Sequence, residues 1–276
     1  MDLTSRKNIK DLLNKHQLRP LKRFGQNFLI DKRALKKMLA AAELTSQDTV
    51  LEIGPGIGTL TQELAKKASK VIAIEKDRNM VDILKETLKD FKNIEIIQAD
   101  IRKWNPKYKI QNTKYKVVGN LPFYLTVSLV RKFLELPENS SPQVMVLGVQ
   151  KEVGQRICAK PPHMSLLAVS VQFYATPEII SYVSKKSFWP QPKVDGAIIK
   201  IIPQPPLIGD RDLFFKVVKA GFSQPRKQLI NNLSKQLKID RRKIQVWLLK
   251  NLVQPTQRAE TLSIDDWLNL TRTFVV

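Results

Sequence analysis

Apolar positions along the chain fall into two rhythms. Short continuous apolar runs rich in Val and Ile occur at residues 49–53, 71–75, 94–98, 116–119, 144–149, 179–184 and 197–202. Runs of that length and composition predict strands. Between most of them apolar residues recur every three or four positions, over 60–68, 79–88, 127–134, 152–159 and 166–174, as in helices with one buried face. Strand–helix alternation with strands apolar on both faces predicts a parallel sheet covered by helices on each side. The last two strands follow each other with no helix between, so they are expected to add an antiparallel hairpin at one edge. Pro203-Gln204-Pro205-Pro206 can then continue neither a strand nor a helix interior. Beyond this linker only helical patterns remain, over 213–222, 226–237, 241–252 and 264–271, the last with Ser263 and Asp266 placed to cap it. The expected organisation is a basic arm over 1–40, an α/β domain over 41–203 and a small helical domain over 204–276.

Charge adds a class of partner. Lys and Arg number 47 against 25 Asp and Glu, a formal net charge of +22 over 276 residues, with the excess densest in 1–40 and 204–276. A compact centre flanked by segments that grip a polyanion would look like this, although solvated lysine-rich faces produce the same count. One cysteine, Cys158, excludes an internal disulfide framework, and two histidines cannot complete a Cys/His zinc site, so no metal is expected. No apolar run reaches the ~18 residues of a membrane span. The basic N-terminus lacks the apolar core of a signal peptide, so a cytoplasmic protein without a membrane partner is expected.

Candidate chemistry sits at strand ends. Val50-Leu51-Glu52-Ile53-Gly54-Pro55-Gly56-Ile57-Gly58-Thr59 runs from a strand through a glycine loop into a helix, and alternate glycines let backbone approach a ligand closely. The dinucleotide fingerprint wants its third small residue where Thr59 stands, so a nicotinamide cofactor fits poorly. The loop does fit the E-x-G-x-G-x-G pattern of S-adenosylmethionine-dependent methyltransferases. Glu75 ends the next strand, where an acid can accept both ribose hydroxyls, and Asp100 ends the third, where a carboxylate can receive an adenine amine. Each acid alone also reads as a helix cap or a solvated strand end. The fourth strand ends in Asn120-Leu121-Pro122-Phe123. Two acceptors, the Asn120 side-chain oxygen and the Leu121 carbonyl, suit an exocyclic amine whose lone pair must leave the ring before it attacks, stabilising the transition state above the ground state. Pro122 fixes the local backbone, and Phe123 offers a face to a flipped base, worth ~1–3 kcal/mol.

Several motifs in order carry a resemblance. They are Lys22-Arg23-Phe24-Gly25-Gln26-Asn27-Phe28-Leu29, the glycine loop at 52–56, Gly119 to Phe123, Gln150-Lys151-Glu152-Val153, Phe188-Trp189-Pro190-Gln191-Pro192-Lys193-Val194-Asp195, Phe222-Ser223-Gln224-Pro225-Arg226-Lys227 and Arg258-Ala259-Glu260. With them the chain resembles, over nearly its whole length, the KsgA family of small-subunit rRNA adenine dimethyltransferases. The resemblance implies a class I S-adenosylmethionine-dependent methyltransferase fold, α/β and Rossmann-like with a seven-stranded, mostly parallel sheet, plus a C-terminal helical domain. It implies cofactor contacts from Asn27, Leu29, Gly54, Gly56, Glu75, Asp100 and Asn120. Asn120 would lie between cofactor and amine, with Leu121 and Pro122 shaping the turn and Phe123 and Phe188 as two walls for the base. Lys22, Arg23, Arg226 and Lys227 would meet RNA. The implied reaction is dimethylation of two adjacent adenosines near the 3′ end of 16S rRNA, by a monomer acting on the small ribosomal subunit. Three positions depart from the commoner pattern: Phe123 replaces Tyr, 160–164 reads Lys-Pro-Pro-His-Met, and Gly196 replaces Ser. Alternatives at this level are an Erm-type 23S rRNA methyltransferase and a non-catalytic RNA-binding assembly or transcription factor on the same scaffold.

Overall fold

The computed structural model describes residues 1–21, 25–106, 109–110, 114–122 and 125–274. The arm is structured where it is described. Helix α1 (Arg6–Lys15) begins where the Ser5 hydroxyl accepts from Asn8 N, and its Ile9, Leu12 and Leu13 share one face. Together with Leu3 they pack against Phe28, Ile57, Met80 and Ile83. Strand β1 (Phe28–Leu29) and helix α2 (Lys32–Ala42) follow, the helix capped by Asp31.

The main sheet is built from β2 (Thr49–Ile53), β3 (Lys70–Glu75), β4 (Ile94–Gln98), β5 (Tyr115–Asn120), β6 (Val144–Gln150), β7 (Ala175–Val183) and β9 (Gly196–Pro203). Between β7 and β9 lies the short β8 (Phe188–Trp189), which pairs antiparallel with β1. Across the sheet the order is β4-β3-β2-β5-β6-β9-β7. The first five are parallel, and β9 runs antiparallel to β6. The last two long strands therefore lie side by side at one edge, β9 next to β6 and β7 outermost. Helices α3 (Thr59–Ala65), α4 (Arg78–Thr87), α5 (Thr126–Leu134) and α6 (Lys151–Ile157) come between strands. Val50, Leu51, Val71, Ile72, Val117, Val118 and Val146 are fully buried, as strands covered on both faces require.

Two compact units divide the chain, and their boundaries differ from the expected ones. Residues 1–154 and 177–203 form the first, so the arm is part of the α/β unit. The second takes residues 155–176 as well as 204–276. It comprises α7 (Leu166–Gln172), α8 (Arg211–Gly221), α9 (Leu229–Leu237), α10 (Arg241–Lys250) and α11 (Ile264–Arg272). Its core explains the recruitment of 155–176: Phe173 stacks on Phe214 at 4.4 Å, and Met164 N donates to Glu260 O at 2.9 Å. Trp267 is fully buried against Gly221, where an added Cβ would lie 2.3 Å from the indole. Among the described residues no helix is long and apolar enough to cross a membrane.

Candidate active site

Strand order reverses beside β2: the chain builds β3 and β4 on one side, then β5 on the other. Such a reversal parts the connecting loops and opens a crevice at the C-terminal strand ends. After Ile53 the backbone turns through Gly54, Gly56 and Gly58, at φ +67°, +58° and +92°. A side chain at Gly56 would bring its Cβ within 3.1 Å of the Phe28 ring, so the loop and β1 meet only because glycine stands there.

Glu75 holds this loop. Its Oε2 accepts from Gly56 N at 3.2 Å, and its Oε1 accepts from Lys76 N and Asp77 N at 2.7 and 2.8 Å. Burial raises the Glu75 carboxyl above its usual range, and these three N–H groups pull it back. Asp77 caps α4 and accepts from Gln26 Nε2 at 2.8 Å, while Gln26 Oε1 accepts from Leu21 N at 2.7 Å. Gln26 thereby ties the arm to the end of β3.

Asn120 closes the opposite wall. Its Nδ2 donates to Asn27 O at 3.2 Å, and Asn27 Nδ2 donates to Gly25 O at 3.1 Å. Gly148 makes room for it, since a Cβ there would lie 2.6 Å from Asn120 Oδ1, and Gly119 lets the strand end lie close to β2, since a Cβ there would lie 2.7 Å from Ile53 O. Leu121 N donates to Gly148 O at 3.0 Å, anchoring the turn that Pro122 continues.

One cleft thus collects Asn27, Leu29, Gly54, Gly56, Glu75, Asn120 and Pro122 from the expected set. It also contains Gln26, Phe28, Glu52, Thr59 and Leu60, which sequence reasoning did not assign. Glu52 had a readable signal, being a charge inside an otherwise apolar strand.

Asp100 does not line this cleft. It follows Ala99, whose N donates to Glu75 O at 2.8 Å, so the two acids stand at neighbouring strand ends. Its carboxylate is taken by Arg102, with Nη2–Oδ2 at 2.6 Å, and by Lys76 at 3.1 Å. Arg102 above all, then Lys76, hold the carboxyl well below the usual range. Lys132 of α5 fastens the same turn by donating to Ile101 O at 2.7 Å, Arg102 O at 3.0 Å and Trp104 O.

Phe188 is 5% exposed and packs with Leu29, Leu35 and Met38, and β-pairing sets it opposite Leu29. The neighbouring Trp189 stacks on Phe28 at 6.5 Å. Phe123, Lys22 and Arg23 lie outside the described residues. Arg226 and Lys227 are exposed but do not open a helix as expected. They occupy a turn before α9, closed by Lys227 N to Gln224 O at 3.0 Å and by Asn232 Nδ2 to Gln224 O at 3.0 Å.

This sheet order, with a glycine loop and acid on adjacent strands at the switch point, defines a class I S-adenosylmethionine-dependent methyltransferase. Comparison with known proteins narrows the class. Residues 16–274 match the model of the ribosomal RNA adenine dimethylase family, and the chain belongs to that family. A ribosomal RNA small subunit methyltransferase A from Dehalococcoides mccartyi is 43% identical over 266 residues, 95% of this chain and 90% of that protein. Among solved structures, the 23S rRNA methyltransferase ErmE superposes with a TM-score of 0.76 at 27% identity, covering 90% of this chain and 99% of that one. A dimethyladenosine transferase from Plasmodium falciparum gives 0.74 at 26% identity, covering 87% and 94%.

The protein is therefore an S-adenosylmethionine-dependent rRNA adenine dimethyltransferase, and the cleft suits its cofactor. Glycines leave the loop backbone bare beside Phe28. Among the described residues Glu52 Oε2, which is buried, has no hydrogen-bond partner, an acceptor of the kind a cationic ligand satisfies.

Proposed function

We propose that the substrate is small-subunit rRNA and that two adjacent adenosines near its 3′ end are each methylated twice at N6. The observation that carries this is the convergence of Glu75, Asn27 and Asn120 on one cleft at the switch point. The 43% identity to a small-subunit enzyme, against 27% to a large-subunit one, supports the choice of subunit.

S-adenosylmethionine supplies an electrophilic methyl group on a sulfonium. Glu75 accepts the ribose hydroxyls, Gly54, Asn27 and Leu29 contact the cofactor along the loop and arm, and Asp100 receives the adenine amine. To do so Asp100 shares the carboxylate that Arg102 and Lys76 now hold. The Asn120 amide, oriented by its bond to Asn27 O, presents Oδ1 to one hydrogen of the target amine, and Leu121 O takes the other. These acceptors favour the tetrahedral nitrogen that forms as the carbon–nitrogen bond is made, so they act on the transition state. No strong base is needed, because the amine sheds its proton after transfer. Phe123 and Phe188 are the two walls between which the base stacks. Lys22, Arg23, Arg226 and Lys227 contact rRNA phosphates. The enzyme acts as a monomer in the cytoplasm, where subunits assemble.

The test is transfer of labelled methyl to unmethylated small subunits, with large subunits and free rRNAs alongside, followed by nucleoside mass spectrometry. N6,N6-dimethyladenosine confined to small-subunit rRNA is the expected result. Label in large-subunit rRNA would transfer the protein to the ErmE-like activity.

A further inference from the structure

Glu52 stands in the middle of the sheet, paired with Ala73 of β3 and Val118 of β5. Its side chain is 1% exposed and lines the cleft. Among the described residues neither Glu52 Oε2 nor the adjacent Thr61 Oγ1 has a hydrogen-bond partner. A buried carboxylate with neither an N–H donor nor a cation beside it among the described residues is strongly disfavoured, so the site either holds a proton or awaits a cation.

Among the described residues its charged neighbours offer no relief. From β3 the facing group is the Glu75 carboxyl, with Asp77 beyond it; from α3 it is the neutral Thr61; from the arm, the neutral Gln26 and Asn27 line the cleft. Glu75 is met by three backbone N–H groups and Glu52 by none among the described residues. Burial, and secondarily repulsion from Glu75, push the Glu52 carboxyl up to about 8 against the pull of Thr61.

We propose that Glu52 is a proton-coupled receptor for the cationic amino-acid end of the cofactor. In the cleft without a cation it is a carboxylic acid; with the ligand seated it is a carboxylate paired to the α-ammonium, and its proton passes to solvent. The ammonium keeps its three hydrogens, no covalent bond of the ligand changes, and one proton leaves the complex. The ammonium is chosen over the sulfonium for a chemical reason. Sulfonium charge disperses as the methyl departs, so an anion there would stabilise the ground state more than the transition state. Ammonium charge persists through transfer. This inference rests on the reading that the cleft holds S-adenosylmethionine.

Calorimetric titration at about pH 6.5, in two buffers of different ionisation enthalpy, counts the protons released while the ligand ammonium stays protonated. The expected result is close to one proton for both S-adenosylmethionine and S-adenosylhomocysteine. None is expected for 5′-methylthioadenosine, which has the ribose and adenine but no amino-acid end. Glu52→Gln should bind 5′-methylthioadenosine as the parent does, showing an intact cleft, and release no proton with any ligand. Parent affinity for S-adenosylmethionine should rise by up to about tenfold per pH unit from pH 6 to 7, with the variant flat over the same range. Binding of S-adenosylmethionine without proton release, or release that survives Glu52→Gln, overturns the role of Glu52 and leaves the cofactor assignment standing. Release with S-adenosylmethionine alone overturns the choice of the ammonium. Failure of all three ligands to bind removes the cofactor reading and the Glu52 proposal with it.

Discussion

Gly148→Ala tests whether the Asn120 amide must sit where the structure puts it. The new Cβ would lie 2.6 Å from Asn120 Oδ1 but 3.4 Å from Asn120 Cα and Cγ. Only the oxygen is in conflict, so the backbone of β5 can stay and the amide must rotate or retreat. Ordinary contact begins at 3.4 Å, which asks for a retreat of roughly 0.8 Å. Misplacement of about 1 Å at a reacting centre costs on the order of 10²-fold, or about 2.7 kcal/mol in the barrier. The expected outcome is a kcat about 100-fold lower in single-turnover methyl transfer, with the calorimetric Kd for S-adenosylmethionine within a few-fold of the parent. Gly209→Ala, where nothing lies within 4 Å of the added carbon, should be unchanged in both and serves as the control. A folded Gly148→Ala enzyme with parental kcat would refute the argument: either Oδ1 makes no contact that strengthens in the transition state, or another acceptor carries it.

The remaining predictions follow from single contacts. Gly221→Ala puts a Cβ 2.3 Å from the Trp267 ring and should lower the stability of the helical unit by at least ~1–3 kcal/mol, read as a drop in Tm. Lys132→Met removes the donor to three carbonyls of the turn bearing Asp100, so S-adenosylmethionine should bind more weakly while 160–176 keeps its protection from hydrogen exchange. Replacing Arg226 and Lys227 with Ala should weaken rRNA binding and reduce its salt slope by about 1 per cation. The raised Glu52 carboxyl has a sign in stability as well: protonated in the fold, it contributes stability that is whole below the ordinary value of 4.5 and is lost as pH rises through about 8. Unliganded Glu52→Gln should therefore match the parent near pH 4.5 and exceed it above pH 8 by up to about 5 kcal/mol in urea denaturation.

Central strands were legible because burial on both faces leaves a continuous apolar run: β2 matches the sequence pattern end to end, and β3, β5, β6 and β9 differ by a residue or two; the partly exposed edge strand β4 also matches, while β7 begins four residues earlier than expected. The covered face of α1 in the arm was not legible, for the opposite reason. Ile9, Leu12 and Leu13 have helical spacing, but the lysines around them dominate the composition, and only the fold shows that one face of α1 is covered. Sequence distance hid the second boundary, since Phe173 and Phe214 stack from opposite sides of β7 and β9 in the chain. At the site, Glu75 and Asn120 were legible because strand ends at a switch point are where chemistry collects. The burial of Phe188 was not, because a two-residue pairing with β1 decides which way its ring faces.

The two carboxyls of the cleft show why a +22 protein can still receive a cation. Its lysines and arginines act outward on a polyanion, and a ligand held among low-dielectric walls responds mainly to what lies within a few ångströms. Among the described residues the charged groups lining the cleft are Glu75 and Glu52. Burial raises both carboxyls, and the structure treats them unequally: three backbone N–H groups pull Glu75 back towards its charged form, while among the described residues Glu52 has only a threonine hydroxyl beside it. A cation entering such a cleft offsets the burial cost that raises both carboxyls, and Glu52, which no backbone N–H group meets among the described residues, gains the more from it.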